Sequence, residues 1–176
     1  TAGTVSGATV SLTAAEGIGS AGAVLTSAVS LTADNTATGN VDITEANDVA
    51  LATTFRNQAS GGTLNLTATD GSIDTSTVAV STNDGALTLA ARATGATART
   101  LTVGTGGIAS AGTVAGSSIT LQGADGVALG GNVNASAGNV VIHANTGDTS
   151  ADAVGAITRT AGTVSGATVS LTAAEG

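Results

Sequence analysis

Residues 64–73 read LNLTATDGSI, and this stretch carries the pattern that decides the fold. One polar residue separates Leu64 from Leu66, which places both side chains on the same face of a β-strand. Asp70 and Gly71 form a turn signal, and Ile73 is the next apolar position after it. The stretch therefore predicts a strand, a tight corner and the beginning of a second strand.

The same unit recurs along the chain at irregular spacings of 12 to 29 residues. Its clearest further instances begin at Val10 and Ile119. Weaker instances are Val29-Ser30-Leu31, Val41-Asp42-Ile43, Leu87-Thr88-Leu89, Leu101-Thr102-Val103 and Val140-Val141-Ile142. A unit of about 20 residues with small aliphatic side chains at equivalent positions predicts a β-solenoid, in which these side chains stack from coil to coil.

A much longer repeat contains these units. The first 17 residues, TAGTVSGATVSLTAAEG, return unchanged at 160–176, which sets a long period of 159 residues. We interpret residues 1–176 as a single β-solenoid segment with one tandem repeat and the start of the next. Because the chain begins at Thr1 rather than Met, we expect it to be a piece of a longer array. With ~4.8 Å between coils, one period corresponds to about seven to eight coils and a rise of ~35 Å.

The composition favours a solenoid over other β folds. Ala, Thr and Gly supply 94 of the 176 residues, and the only aromatic residue is one Phe. A β-sandwich needs bulky inward residues to span ~10 Å between its sheets, so this composition disfavours it. A narrow solenoid core can be filled by Val, Ile, Leu and Ala, and the absence of Pro suits a fully paired backbone. The apolar alternation and a charged fraction of only 9% disfavour disorder.

Composition also excludes several classes of function. The absence of Cys and the single His exclude a disulfide scaffold and a Cys/His zinc site. A net charge of −8 would repel a phosphate backbone, so no nucleic-acid partner is expected. No apolar run approaches the ~20 residues that a membrane-spanning helix needs, so we expect no membrane insertion.

The alternating pattern predicts which side chains fill the core. The inward residues should be those at the paired apolar positions and the apolar positions after the turns. The predicted set is Val10, Leu12, Ile18, Leu31, Leu64, Leu66, Ile73, Leu87, Leu89, Ile119, Leu121, Val140, Ile142, Val169 and Leu171.

Three stretches carry a family resemblance: VSLTAAEGIGSAG (10–22), LNLTATDGSI (64–73) and ITLQGADGVALGGNV (119–133). They resemble the coils of filamentous haemagglutinin-type exoproteins, which are large bacterial two-partner secretion proteins, and of related giant adhesins. The resemblance covers nearly the whole chain at the level of the repeat, although the coil lengths here are irregular. It implies an all-β, right-handed parallel β-helix on the outer surface of a Gram-negative cell, and it transfers no catalytic or binding residue.

Few residues are candidates for chemistry. His143 alternates with Val140 and Ile142, which predicts that it lies on the outer side of a strand as a solvated residue. Asp148 and Asp152, with the pairs Asn47-Asp48 and Asn83-Asp84, could supply oxygen ligands to Ca²⁺. Because the nonapeptide repeat of calcium-binding β-rolls is absent, we interpret these residues as turn caps and expect no metal site.

Other polar residues have structural interpretations. Asn132, Asn134, Asn139 and Asn145 are expected near interior turns, bonded to residues of neighbouring coils. The four arginines, Arg56, Arg92, Arg99 and Arg159, are scattered, which disfavours the groove of a polysaccharide-cleaving enzyme. Segments 53–62 and 91–99 interrupt the pattern and are expected as long turns or protruding loops, with Phe55 covering a coil edge. Whether these segments or 145–155 bind anything stays open. Recurrent Thr-x-Thr pairs do not keep step with the coils, which disfavours an ice-binding threonine ladder.

Three classes of function follow from this pattern. The first is a non-catalytic shaft of a secreted or cell-surface adhesin, which serves surface attachment or cell–cell contact. The second is a carbohydrate-binding module, and the third is a polysaccharide-degrading β-helix enzyme. The tandem duplication favours the first, because repeated copies add length whereas a catalytic groove is needed only once. We therefore expect no enzyme activity and no cofactor. The expected partners are flanking repeats of the same polypeptide and a glycan or cell-surface receptor, with the isolated chain a monomer that packs end to end.

Overall fold

The computed structural model describes residues 3–145 and 155–174. Within these ranges every regular element is a β-strand, and the 17 strands belong to one continuous parallel pairing system. The described part of the chain contains no helix that is long and apolar enough to cross a membrane. The all-β class and the parallel, solenoid-like arrangement that the sequence predicts are therefore confirmed.

The strands are short, and most of them are separated by turns that contain Gly, Asn or Asp. In chain order they are β1 (Thr4–Ala14), β2 (Val24–Asn35), β3 (Val41–Glu45), β4 (Val49–Ser60), β5 (Leu64–Ala68), β6 (Ile73–Asp74), β7 (Val80–Asn83), β8 (Leu87–Ala91), β9 (Thr100–Val103), β10 (Ile108–Ala111), β11 (Ile119–Gly123), β12 (Gly126–Leu129), β13 (Val133–Ala135), β14 (Val140–Ala144), β15 (Ala156–Arg159), β16 (Val164–Ser165) and β17 (Val169–Thr172).

The strands pair in three parallel series, each of which recurs once per coil. The first series is β3, β5, β8, β11, β14 and β17. The second series is the start of β4 followed by β6, β9, β12 and β15. The third series is the end of β4 followed by β7, β10, β13 and β16. β2 joins all three series by pairing with β3 and with both halves of β4, and β1 pairs with β2 along its whole length.

Equivalent side chains stack in register along each series. The inward column of the first series is Ile43, Leu66, Leu89, Leu121, Ile142 and Leu171. The second series stacks Val49, Ile73, Leu101, Val127 and Ile157. The third stacks Phe55, Val80, Ile108, Val133 and Val164. The core is therefore a set of apolar columns, which are aliphatic except for Phe55.

The predicted core is correct except at the ends of the stack. Of the predicted inward residues, twelve from Val10 to Ile142 are buried. Leu12 is half-buried, and Val169 and Leu171 are 41% and 55% exposed. These three residues lie on the end strands β1 and β17, where a neighbouring strand covers only one side.

Two expectations about the early coils are wrong. Segment 53–62 is largely strand rather than a loop, and Phe55 is fully buried instead of covering a coil edge. The bend precedes it at Thr53, whose φ of 61° turns the chain from the second series into the third. At a corner of β2, the buried position after Ala28 is Leu31, three residues later instead of two. This shift of the alternation leaves Val29 on the outer side, where it is 70% exposed.

Interior asparagines connect early coils at the corner that follows the third series. Asn35 and Asn57 are buried and stacked in register. Asn35 Nδ2 donates to Asn57 Oδ1 at 2.8 Å, and Asn57 Nδ2 donates to the Thr63 carbonyl at 2.8 Å. The expectation named Asn132, Asn134, Asn139 and Asn145, of which the first three are exposed and the last is half-buried. The expected bonds to a neighbouring coil are present at two of them, because Asn132 Oδ1 accepts the Thr163 N–H at 2.9 Å and Asn134 Oδ1 accepts a bond from Ser165 Oγ at 3.0 Å. The sequence signal was similar in both places, and only the alternation distinguishes inward from outward positions.

A buried carboxylate fixes the corner between the first and second series. Glu45 is fully buried, and its Oε2 accepts a bond from Thr26 Oγ1 at 2.7 Å. Its Oε1 accepts bonds from the backbone N–H groups of Ala28 and Ala46 at 3.1 and 2.9 Å. All of these groups donate, an arrangement that suits the acceptor-only ionised carboxylate. Since Thr26 and Ala28 lie in β2, this side chain joins two coils.

Replacing Glu45 with glutamine should lower the free energy of unfolding by about 1–3 kcal/mol, because the amide NH₂ would face groups that donate. Denaturant unfolding followed by circular dichroism measures this loss. Glu16→Gln is the matched control, since Glu16 is exposed and its substitution should stay within about 0.5 kcal/mol of the original. Equal effects of the two substitutions would contradict the assignment.

Leu89→Ala should cost about 2–5 kcal/mol, because Leu89 is fully buried in the first-series column. Leu171→Ala removes the same atoms from the same column at its open end, where the side chain is 55% exposed. We expect the second variant to lose less than half as much stability in the same unfolding experiment. A loss at Leu171 as large as that at Leu89 would show that the end strand is covered.

Candidate functional site

The single histidine lies where the alternation predicts. His143 is half-buried on the outer side of β14, in register with Gln122 of β11 and Thr172 of β17. No group of three or more His, Asp or Glu side chains in the described ranges has the geometry to hold a metal ion. The outer threonines of the first series form only short rows, with Thr44 beside Thr67 and Thr88 beside Thr120.

Some of the acidic residues considered as calcium ligands lie at turns, and the others lie outside the residues that the structure describes. Asp148 and Asp152 lie outside the described residues. Asp48 Oδ1 accepts the backbone N–H of Ser72 at 2.7 Å, and Asp84 Oδ1 accepts that of Thr113 at 2.9 Å. Both carboxylates therefore bond to the turn of the next coil, as residues that cap turns do.

One cluster of charges emerges at the corner between the first and second series. We call it the Arg99 corner: Asp48, Asp70, Arg99 and Asp125. Arg99 Nη1 lies 2.9 Å from Asp48 Oδ1, and Arg99 Nε lies 3.3 Å from Asp70 Oδ1. The backbone N–H of Arg99 donates to Asp125 Oδ2 at 2.6 Å. One arginine thus joins acidic residues from three other coils.

An exposed loop supplies this arginine. Within segment 91–99, Ala93 is buried and residues 94–98 are exposed, so the expected protruding loop is the latter five. The backbone N–H of Thr94 donates to Asp70 Oδ1 at 3.3 Å. This backbone bond is the main cause that holds the pKa of the Asp70 carboxyl below its usual range. A bond from the Thr94 side chain and the nearby Arg99 guanidinium lower the same pKa further. The loop therefore begins and ends on the same carboxylate.

The remaining arginines make separate contacts. Arg56 Nε donates to Asp34 Oδ1 at 2.9 Å, across adjacent strands of the third series. This bond is the main cause that holds the pKa of Asp34 below its usual range. Arg92 donates to Gln122 Oε1 at 3.1 Å, and Arg159 Nε donates to the Gly162 carbonyl at 2.7 Å. The expectation of scattered arginines is correct for these three, and it missed the Arg99 corner.

A shallow groove runs beside the Arg99 corner. It has a volume of about 330 Å³, and its lining includes Val29, Asp48, Ala50 and Asp74. It contains no aromatic ring on which a sugar could stack, because the only Phe of the chain is buried. Its two carboxylates differ in their contacts, since Asp48 pairs with Arg99 and Asp74 bonds to Ser76.

The two ends of the stack carry unpaired strand edges. Among residues 3–145 and 155–174, β1 pairs only with β2 and β17 pairs only with β14, so each end strand leaves one backbone edge without a partner there. Apolar side chains accompany these edges: Val5 is 44%, Val169 41% and Leu171 55% exposed. Neither β1 nor β17 contains a charged residue, which is the usual protection of an exposed strand edge. The ends therefore have unpaired strand edges with exposed apolar side chains and without charged residues.

No protein-family model, curated protein sequence or solved structure matches this chain. Function must therefore be inferred from the geometry of the chain itself. In the residues that the structure describes, that geometry offers ties between coils, shallow surface grooves and two open ends.

Arg56→Ala should raise the pKa of Asp34 toward its usual value of 3.8 and remove up to about 1 kcal/mol of stability at pH 6. A carboxyl with a lowered folded-state pKa contributes stability above its unfolded pKa and loses that contribution as pH falls through the folded pKa. The difference from the original chain should therefore shrink as the pH falls below the ordinary carboxyl pKa of 3.8.

Denaturant unfolding at pH 6 and pH 2.5 tests this dependence. Arg159→Ala is the control, because the Arg159 side chain bonds to the carbonyl of Gly162, which does not titrate. A stability loss from Arg56→Ala that is the same at both pH values would contradict a contribution from the ion pair.

Proposed function

We propose that this chain is a non-catalytic repeat segment of a large secreted or cell-surface adhesin, where it forms part of a rigid extended shaft. The observation that supports this proposal most strongly is the parallel pairing of each strand with the coils before and after it. Such a stack lengthens by adding coils at an end, without any change to its interior. The open edges of β1 and β17 are the places where further coils would attach.

The proposed architecture is a right-handed parallel β-helix of about seven to eight coils. The first series supplies six strands, and β1 and β2 precede them in the same direction. At ~4.8 Å between coils this corresponds to a rise of ~35 Å for each repeat. The exact return of residues 1–17 at 160–176 supports an array in which such lengths add up.

The proposed setting is the outer surface of a Gram-negative cell, reached by secretion. The resemblance of the coils to those of filamentous haemagglutinin-type proteins supports this proposal. In such a shaft the main partners are flanking repeats of the same polypeptide, which hold a receptor-contacting region away from the cell. Attachment to surfaces or to other cells is then the function of the whole protein, to which this segment contributes reach.

The carbohydrate-binding alternative depends on the groove beside the Arg99 corner. Sugar sites depend on aromatic rings and on converging polar groups, and the lining of this groove is aliphatic and acidic apart from Ser72. A glycan array probed with this chain tests the alternative. Saturable binding that Asp74→Asn abolishes would favour a binding module over a shaft.

Concatenation tests the shaft directly. Chains of one, two and three 159-residue repeats should differ in length by ~35 Å per added repeat, because each repeat continues the same stack. Small-angle scattering measures the maximum dimension and the cross-sectional radius. The cross-section should stay constant while the length rises linearly.

A matched control inserts a flexible Gly/Ser segment between the repeats. This chain should show a smaller and broader distribution of lengths than the directly joined chain, because its two stacks can reorient. Directly joined repeats that behave like the flexible control would contradict a rigid shaft.

A further inference from the structure

Eleven residues of the duplicated sequence, 4–14 in the first copy and 163–173 in the second, adopt two different structures in this chain. In its first copy, residues 4–14 form the single continuous strand β1. In its second copy, the identical residues 163–173 form two short strands, β16 and β17, with bends at residues 166–168 between them. Local sequence is the same, so the difference must come from what each copy pairs with.

The two copies pair through opposite edges. β1 pairs with the coil that follows it, through ten registered residue pairs from Thr4–Leu25 to Ala14–Asn35. β16 and β17 pair with the coil that precedes them, through β13 and β14. The edge that is covered in the first copy is therefore the edge that is open in the second copy.

Equivalent side chains confirm this reciprocal coverage. Val10 is 5% exposed, whereas its counterpart Val169 is 41% exposed. A Cβ built on Gly3 would meet nothing within 4 Å, whereas one on its counterpart Gly162 would lie 2.2 Å from Gly131 of the preceding coil. Each copy is therefore covered on the strand edge that is open in the other copy.

We propose that residues 163–173 of one molecule replace residues 4–14 of a second copy of this chain on strand β2, joining the two molecules head to tail. This head-to-tail contact adds a partner, a second copy of the chain, to the proposed shaft function. Its biological use rests on that proposed function. In a tandem array, the one segment at each junction would offer both edges, one for pairing with β14, as β17 does here, and one for pairing with the next β2, as β1 does here. In separate molecules the two identical segments compete for the same β2 edge.

The exchange conserves the interface, because both competitors present the same side chains to Leu25–Asn35. Leu31 would contact Val169 instead of Val10, and Ala33 would contact Leu171 instead of Leu12. The second copy must straighten at Gly166–Thr168 to match β1, and the first copy shows that this sequence forms that extended strand. Within one molecule β1 has the advantage of a high effective concentration, so the unaltered chain stays a monomer in dilute solution.

Disabling the intramolecular competitor tests the proposal. Val10→Asp with Leu12→Asp weakens β1 but leaves residues 160–176 intact. In light scattering this variant should reach at least twice the monomer mass of 16.3 kDa as its concentration rises. The matched control adds Val169→Asp and Leu171→Asp, which should return the mass to that of the monomer. A folded first variant that stays monomeric at every concentration would overturn the proposal, and so would a control that still associates.

A cross-linking measurement does not depend on the folding of these aspartate variants. The chain has no cysteine, so single substitutions report contacts cleanly. Ser11 pairs with Thr32, and Ser170 is the counterpart of Ser11. A mixture of Thr32→Cys and Ser170→Cys chains, oxidised at high concentration, should give a mixed disulfide at least five times more often than Thr120→Cys with Ser170→Cys.

The control Thr120 also lies on an outer face, but in the middle of the stack between β8 and β14. Equal yields with Thr32 and Thr120 would overturn the strand exchange and indicate random collision or side-by-side association. That failure is distinguishable from failure of the shaft, because covalently joined repeats could still lengthen by a constant rise.

Discussion

The structure depends on in-register parallel pairing between successive coils. Each inward position must accept the side chains directly above and below it at ~4.8 Å, so columns such as Ile43, Leu66, Leu89 and Leu121 contain residues of similar size. The same spacing brings backbone against backbone at the corners. A Cβ on Gly138 would lie 2.2 Å from the Ser117 carbonyl oxygen, which explains a glycine there. The small-residue composition is a consequence of this one spacing.

Because the columns resemble one another, polar residues must fix the register. Glu45 binds the backbone of its own corner and that of β2, and Asn57 binds Asn35 of the coil before it. A shift of either coil would leave these buried groups without partners, at a cost of about 1–3 kcal/mol for each group. Arg99 does the same at the surface by joining two carboxylates from earlier coils. The few charges are therefore used mainly as ties between coils.

How much of the fold and of the candidate site the sequence could predict depends on how far apart in the sequence the interacting residues lie. Period-2 alternation is local, so the pairs at Leu64 and Ile119 identified their strands and buried residues correctly. Corners change the alternation by one residue, and this explains the errors at Val29 and Phe55. The Arg99 corner was missed because Arg99 and Asp48 are 51 residues apart in the sequence. The available signal was an aspartate shortly after β3, β5 and β11, at positions 48, 70 and 125, whereas the residues between β8 and β9 contain arginines and no aspartate.

The duplicated segment shows the limit of local sequence most clearly. Val5 and Val164 are equivalent, yet β1 carries Val5 against Thr26, and β16 carries Val164 against Val133. An uncharged run of Thr, Val, Ser, Gly and Ala has no strong local preference for where it bends, so the neighbouring coil acts as the template. Such a segment can complete either end of a stack. In an array, the sequence that begins every repeat would therefore continue the stack of coils across each junction. Because the segment can complete either end, an isolated repeat has two complementary open ends.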